Sequence, residues 1–464
     1  MSGEWAGRRV CVAGIGVSGA AAARALLGLG ARVTAVDGGD DAVRQRTADE
    51  LRSAGARVLL GEAGRLPDDA DAVVTSPGWP PHAPVLATAA ERGIPVLGEV
   101  ELAWRLRGPG AAPWLAVTGT NGKTTVVRML AAMLGRADLH TDAVGNVGTP
   151  LVEAVRADPP YDVLAVELSS FQLHWSSSVA PLAAAIVNLA PDHVDWHGTF
   201  AAYAADKAKI WAPATRVVFN ADDSEVTALA GGRPGAVSCT LGEPSAGQLG
   251  VVDGMLVDRA FATEEALASV ADVRPAAPHN VANALAAAAL ARAYGVPAAA
   301  VRDGLAAFRP DPHRMTSVLR ARGVHFVDDS KGTNPHAVAA ALSAYERVVW
   351  IAGGLLKGAA VDDLVTEHAH RLRGAVLLGR DRGVIADALR RHAPDVPVVE
   401  VAATDTGAMD LVVEQAARLA RPGEVVLLSP AGASWDMFEN YPARGDAFAA
   451  AAKRWASERS EAGA

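Results

Sequence analysis

At 464 residues, half of them apolar, the chain exceeds what one hydrophobic core organises and predicts about three domains of roughly 100–200 residues each. A net charge of −9 excludes a general nucleic-acid or membrane-surface binder and leaves small anionic substrates held at local cationic sites. The two cysteines, Cys11 and Cys239, lack the spacing of a disulfide framework or a cysteine zinc site and fit a reducing cytoplasm.

Short β-branched runs alternate with Ala/Leu/Arg-rich helical stretches. In chain order the strand runs are "RVCVAGIG", "ARVTAVD", "DAVVTSPG", "WLAVTGT", "DVLAVELSS", "AAAIVNLAPDH" and "RVVFNADD", then "VHFVDDS", "RVVWIAGG", "AVLLGRD", "VPVVEVA" and "EVVLLSPAG". Such alternation predicts an α/β chain of mainly parallel sheets with helices on both faces. Most runs end in Gly, Ser, Asp, Asn or Glu, at the edge where open α/β sheets bind ligands. Pro and Gly interrupt the pattern at 105–114 and 308–314. Three domains are therefore expected: Rossmann-like 1–108, a central P-loop-type ATPase domain 109–310, and Rossmann-like 311–464. Residues 231–278 lack clear periodicity, with "GGRPGAV" and "GEPSAGQLG" reading as loops, and the final "SERSEAGA" reads as disordered. No apolar signal core opens the sequence and no apolar run reaches membrane length, so no membrane insertion is expected.

The first block carries Gly14-x-Gly16-x-x-Gly19 between a strand and a helix, with Asp37 closing the next strand. Glycines there let a pyrophosphate approach the backbone, the helix N-terminus favours its charge, and the acid suits a ribose hydroxyl. The spacing identifies a diphosphate more securely than a nicotinamide. It leaves open an NAD(P)-dependent oxidoreductase, a UDP-sugar site built with Val17 and Ser18, and a merely tight turn. Ser76-Pro77-Gly78 ends a later strand facing the same crevice.

In "LAVTGTNGKTTVVRML" the first glycine of a P-loop is replaced by Val117. Gly119, Thr120, Asn121 and Gly122 can still offer backbone N–H groups to phosphates. Lys123 can reach the β/γ oxygens, Thr124 can hold Mg²⁺, and Thr125 continues the helix start.

This loop resembles that of the Mur ligase superfamily, ATP-dependent amide-forming enzymes of cell-wall precursor synthesis; folylpolyglutamate synthetases have a similar one. The resemblance extends through "VGNVG", "AVELSSFQL", "NLAPDHVDWHG", "YAADKAKIW", "PHNVANALAA", "PHRM", "DDSKGTN", "GGLLKG" and "SPAGASWDMFENYPARG". The E-L-S-S-F-Q-L run and the last segment resemble the branch that adds D-glutamate to UDP-N-acetylmuramoyl-L-alanine; the D-N-P-R motif of the diamino-acid-adding sibling is absent. The resemblance implies an acyl-phosphate mechanism using ATP and two Mg²⁺ ions, with Mn²⁺ as a substitute, in a cytoplasmic monomer.

Carried over residue by residue, it makes Lys123, Glu167, His193 and Lys207 catalytic, with Thr124, Glu167, His193 and carbamylated Lys207 around metal. Asn280, Asn283, Arg314 and Asp329 join the loop in binding ATP. Asn146 and Ser169 join the N-terminal glycines on the UDP-substrate, and Thr333, Lys357, Ser434 and Tyr441 form the D-glutamate pocket. Several of these have plainer readings: Glu167 as a capping acid, Asn280 as an N-cap, Arg314 and Asp329 as a surface salt bridge. Lys207 falls with Phe200, Tyr203 and Ile210 on one helical stripe, which turns it inward while Lys209 lies off it; the plainer reading is a snorkelling surface lysine. Two departures stand out. Leu355 follows the Gly353-Gly354 pair where relatives carry an acid, and Tyr441 replaces a common phenylalanine.

Overall fold

Apolar runs without alternation become strands buried on both faces, as "WLAVT" and "AAAI" do, since helices cover a parallel sheet above and below. The structure is a computed structural model that describes residues 4–62, 64–403, 405 and 407–461. It divides into two compact units, Met1–Val273 with Val281–Phe308, and Arg274–Asn280 with Arg309–Ala464.

The first unit holds two sheets. Strands β1 (Arg9–Ala13), β2 (Arg32–Asp37), β3 (Arg57–Leu60), β4 (Ala72–Thr75) and β5 (Val96–Gly98) pair in parallel, ordered β3-β2-β1-β4-β5. The order reverses between β1 and β4, so the loops that follow these two strands flank a crevice. The second sheet contains β6 (Trp114–Thr118), β7 (Ala143–Gly145), β8 (Leu164–Glu167), β9 (Ala183–Ile186), β10 (Arg216–Asn220), β11 (Val237–Cys239), β12 (Gln248–Val252), β13 (Met255–Asp258) and β14 (Glu265–Ser269). Its order is β14-β13-β12-β11-β10-β9-β6-β8-β7, parallel from β7 to β12 and antiparallel beyond. Strand β6 lies between β9 and β8, so three loops from adjacent strand ends can converge.

The stretch without clear periodicity, 231–278, contains four strands, and the two segments expected to be loops lie largely outside them. The strands escaped notice because they run only three to five residues and one of them is interrupted by Gly250. That glycine is needed: a Cβ there would come within 2.5 Å of the Gly242 carbonyl oxygen.

The second unit is built on β15 (Thr316–Ala321), β16 (Val324–Asp328), β17 (Val348–Gly353), β18 (Leu372–Leu378), β19 (Val398–Glu400) and β20 (Val425–Ala431), ordered β15-β16-β20-β17-β18-β19. All pairs are parallel except the edge pair β15–β16. The last helix runs from Tyr441 to Glu461, so most of the tail expected to be disordered is helical, and residues 462–464 lie outside the described residues. Both cysteines are buried and free. Among the described residues no helix is long and apolar enough to cross a membrane.

One buried acid makes a stability prediction. Glu99 is 3% exposed, and its Oε1 accepts from Val152 N at 2.6 Å. Burial, which outweighs those backbone donors, pushes its carboxyl up from 4.5 to about 7. Between those values the folded chain holds a proton the unfolded chain lacks, so this group's contribution falls as pH rises through the window and is flat above it. Glu99→Gln should thus be neutral near pH 4.5 and stabilising at pH 8, by up to roughly 3 kcal/mol. Denaturant unfolding at the two pH values checks this; an equal effect at both would show that Glu99 does not titrate in the window.

Candidate active site

At the β1/β4 crevice, Gly14 has φ +90° and Gly19, in the first turn of the helix Val17–Gly28, lies so close to it that a Cβ on Gly19 would collide with the Gly14 carbonyl oxygen. Ser76 Oγ donates to that same carbonyl at 3.1 Å. Asp37 accepts from Ile15 N at 2.9 Å on one oxygen, and from Gly39 N at 2.8 Å and Arg44 Nε at 2.9 Å on the other. The carboxylate expected at a ribose thus also braces its own loop. Gly16, Val17 and Gly78 face solvent, with Ser18, Ser76 and Pro77 half-buried.

The second sheet explains the altered P-loop. Val117 is fully buried within β6, so the turn begins two residues later, at Gly119. Gly122 has φ +82°, and a Cβ there would strike Asn283 Oδ1. Asn188, at the end of the β9 run, braces the turn: its Oδ1 accepts from Asn121 N at 2.8 Å and its Nδ2 donates to Asn121 O at 3.0 Å. Thr120 Oγ1 accepts from Ala190 N at 2.9 Å and lies 2.9 Å from the Tyr203 hydroxyl. Thr124 is buried and Thr125 half-buried in the first turn of helix Lys123–Arg136.

Two lysines converge on this turn. Lys123 Nζ donates to Gly119 O at 3.0 Å and Thr120 O at 2.9 Å. Lys207 Nζ donates to the same Gly119 O at 2.8 Å and to Thr118 Oγ1 at 3.3 Å. Lys207 is 1% exposed, as the helical stripe predicts, whereas Lys209 reaches solvent beside Asp206. Burial, then the neighbouring Lys123 charge, holds the Lys207 amine well below its usual range.

Glu167 ends β8, buried; its Oε1 accepts from Asn146 Nδ2 at 2.8 Å, while its Oε2 has no hydrogen-bond partner. A buried carboxylate oxygen left bare calls for a cation. His193 follows β9 with φ +53°; burial and the Lys123 and Lys207 charges hold it below the usual histidine range despite Asp192 and Asp195. Ser169 caps helix Ser170–His174, accepting from Gln172 N at 3.2 Å. Asn280 is not an N-cap: it sits inside helix Pro278–Tyr294, and its amide donates to the Arg274 and Pro275 carbonyls at 3.3 and 3.2 Å.

In the second unit, Asp329 is buried after β16, accepting from Ser429 Oγ at 2.8 Å. Burial pushes it up to about 7 against that donor and the Arg314 charge. Arg314 keeps a buried Nε without a partner, and Ser434 a buried hydroxyl likewise. The Gly353-Gly354 turn positions Leu355 to pair with Ala433 through backbone bonds of 2.9 and 2.8 Å. Lys357, exposed at φ +54°, stands 4.5 Å from the centre of the Trp435 ring, itself 67% exposed. Thr333 is exposed and Tyr441 half-buried, with the Lys331 ammonium 4.9 Å from its ring. Arg444, which carried no expectation, is 2% exposed and donates to Ser330 O at 2.8 Å and Gly432 O at 3.0 Å, tying two of these loops together.

Comparisons with known proteins agree in all three regions. Residues 8–98 match the Mur ligase MurD-like N-terminal domain, 117–291 the Mur ligase middle domain, and 313–432 the Mur ligase glutamate ligase domain. The UDP-N-acetylmuramoylalanine--D-glutamate ligase of Streptomyces avermitilis is 57% identical over 462 residues, covering 97% of this chain and 99% of that protein. The protein of the same name from Thermobifida fusca is 60% identical over 459 residues, covering 96% and 98%. Among solved structures, UDP-N-acetylmuramate-alanine ligase MurC from Thermotoga maritima aligns over 97% of this chain and 99% of its own with a TM-score of 0.59; at 18% identity that likeness is one of fold. The N-terminal glycines therefore do not indicate an oxidoreductase, and the chain belongs to the Mur ligase family of ATP-dependent, amide-forming ligases.

Proposed function

We propose that the chain joins D-glutamate to UDP-N-acetylmuramoyl-L-alanine at the expense of ATP, in the cytoplasm and as a monomer. The observation that carries the ATP chemistry is the meeting of Lys123 and Lys207 at the Gly119 carbonyl, in a site where Glu167 keeps a bare buried oxygen. The relatives' names supply the two substrates, and the lack of a D-N-P-R segment supports them over a diamino acid.

The residues here would suit Mg²⁺: Thr124 Oγ1 and Glu167 Oε2 are hard oxygens, Lys207 would add another once carbamylated, His193 would join them, and Mn²⁺ would suit the same set. When bound, the two ions neutralise charge between the substrate carboxylate and the γ-phosphate. Lys123 and the loop N–H groups hold the phosphates while the substrate carboxylate attacks, releasing ADP and leaving an acyl phosphate. The neutral amine of D-glutamate then attacks the acyl carbon, phosphate leaves, and the amine proton is lost to solvent. Asn280 and Asn283 serve the adenine, and Arg314 and Asp329 the nucleotide. Thr333, Lys357, Ser434 and Tyr441 hold the two carboxylates of D-glutamate, with the partnerless Ser434 hydroxyl as the directional donor. The 1–108 domain, with Asn146 and Ser169, takes the UDP-substrate, 109–310 the ATP, and 311–464 the amino acid.

Phosphate release from ATP, measured with the UDP-muramoyl acceptor and a panel of amino acids, tests the reading. D-glutamate alone should support turnover; preference for L-glutamate or a diamino acid would overturn it. For the N-terminal site, Gly16→Val is informative because a Cβ at Gly16 meets nothing within 4 Å and its φ of −64° suits any residue. The variant should keep its melting temperature but lose the stabilisation that UDP-substrate gives the wild type, since only a closely approaching diphosphate meets the new side chain. An unchanged ligand-induced shift would move the diphosphate elsewhere.

A further inference from the structure

Beside the reaction site, three segments bring together side chains that the proposed chemistry does not use. His174 ends the helix Ser170–His174, His197 ends the turn Val194–His197, and Asp206 lies on helix Phe200–Ala208. Both imidazoles point their Nδ1 at one carboxylate oxygen: Asp206 Oδ2 lies 2.8 Å from His174 Nδ1 and 3.0 Å from His197 Nδ1. The three atoms all lie within 4.8 Å of one another. We propose that they form a transition-metal site of the Zn²⁺ class, separate from the Mg²⁺ positions at Glu167.

The donor set fits. Two imidazoles and a carboxylate form a borderline-soft ligand set that suits Zn²⁺ better than Mg²⁺, with water completing a tetrahedron. Ligand atoms about 2.0–2.1 Å from zinc stand about 3.3–3.4 Å apart, so the two nitrogen–oxygen separations need open by only a few tenths of an ångström, and the two nitrogens, within 4.8 Å of one another, must come to that same spacing. Outer hydrogen bonds are already in place. His197 Nε2 lies 2.9 Å from Ser170 Oγ, an acceptor for the ring proton once Nδ1 turns to a metal, and Asp206 Oδ1 accepts from Lys209 Nζ at 2.8 Å. A ring bound through Nδ1 carries its proton on Nε2, where His197 has Ser170 Oγ as its acceptor. The His197 side chain is 1% exposed and that of Asp206 10%, while His174 at 29% leaves a path for entry. The charge that opposes binding is Lys209, whose exposed side chain shares the carboxylate rather than blocking Oδ2. Because Asp206 directly precedes Lys207, such a metal would tie the lysine's helix to the segments that follow β8 and β9.

The full-length protein, stripped with chelator and held in excess Mg²⁺, is titrated with ZnCl₂. One Zn²⁺ per chain should survive desalting and raise the melting temperature. His174→Ala, a substitution at the partly exposed position, should lower the Zn²⁺ affinity at least tenfold and abolish the thermal shift, while His193→Ala keeps both. Co²⁺ in place of Zn²⁺ should give visible absorption in the wild type that His174→Ala loses. No retained Zn²⁺, or equal retention by His174→Ala, would overturn the site and leave the cluster as a hydrogen-bonded clamp; loss of Zn²⁺ in His193→Ala instead would assign the ion to the reaction centre. The result is independent of which amino acid the ligase adds.

Discussion

Lys123→Ala should cut turnover by several orders of magnitude while UDP-substrate still raises the melting temperature as in the wild type. The ammonium would stand where negative charge concentrates as the γ-phosphoryl group moves, and one such donor in a water-poor site contributes roughly 10²- to 10³-fold or more. Lys123 Nζ donates to Gly119 O and Thr120 O, so it also steadies the loop. Lys123→Met separates the two effects: it keeps the stem and loses the charge. If both variants are inactive but melt normally, the loss is electrostatic. Wild-type turnover in either would refute the assignment.

What the sequence reveals of this site depends on whether the signal is local. The P-loop could be read because a strand, a glycine turn and a helix are contiguous, and the structure shows why Val117 is harmless: it is a strand residue. Helical spacing placed Lys207 on the inward stripe but left a snorkelling surface lysine as the plainer reading, and its burial decides between the two. Other features had no such trace. Asn188 bracing Asn121 is a pairing across 67 residues, and Arg444 with Ser330 one across 114. Glu101, 1% exposed, receives Ser177 N at 2.9 Å and Ser178 N at 3.0 Å across more than 70 residues. Single polar contacts leave no periodicity, so only the folded chain reveals them. The same holds for His174, His197 and Asp206, whose spacings match no metal motif. The strands β11–β14 were missed for the opposite reason: their signal is local but weak, since strands of three to five residues are too short to show alternation.

Lys207→Ala should be nearly inactive, at least roughly 10²-fold down, at ordinary Mg²⁺ concentrations. Two lysine nitrogens donating to one carbonyl oxygen in a buried site is an arrangement a protein does not keep without cause. Burial first, and then the neighbouring Lys123 charge, hold the Lys207 amine well below its usual range and so favour its neutral form. A neutral amine can attack CO₂: the new N–C bond forms, one amine proton leaves to solvent, and the lysine becomes a carbamate anion beside Lys123 rather than a second cation. The Tyr203 ring, 4.7 Å from Nζ, and the Thr118 hydroxyl would flank that anion and keep it from water. The sign of the pH dependence follows. As pH falls through the lowered amine value, Lys207 protonates and the carbamate is lost, so activity should drop on the acid side and return with bicarbonate after neutralisation. Intact mass under mild alkaline conditions should show an increment of one CO₂ that Lys207→Met abolishes. The methionine variant also tests packing, because it fills a similar volume and removes a buried ionisable group, and it should melt no lower than wild type. An alanine or methionine variant turning over at the wild-type rate would return Lys207 to a packing role.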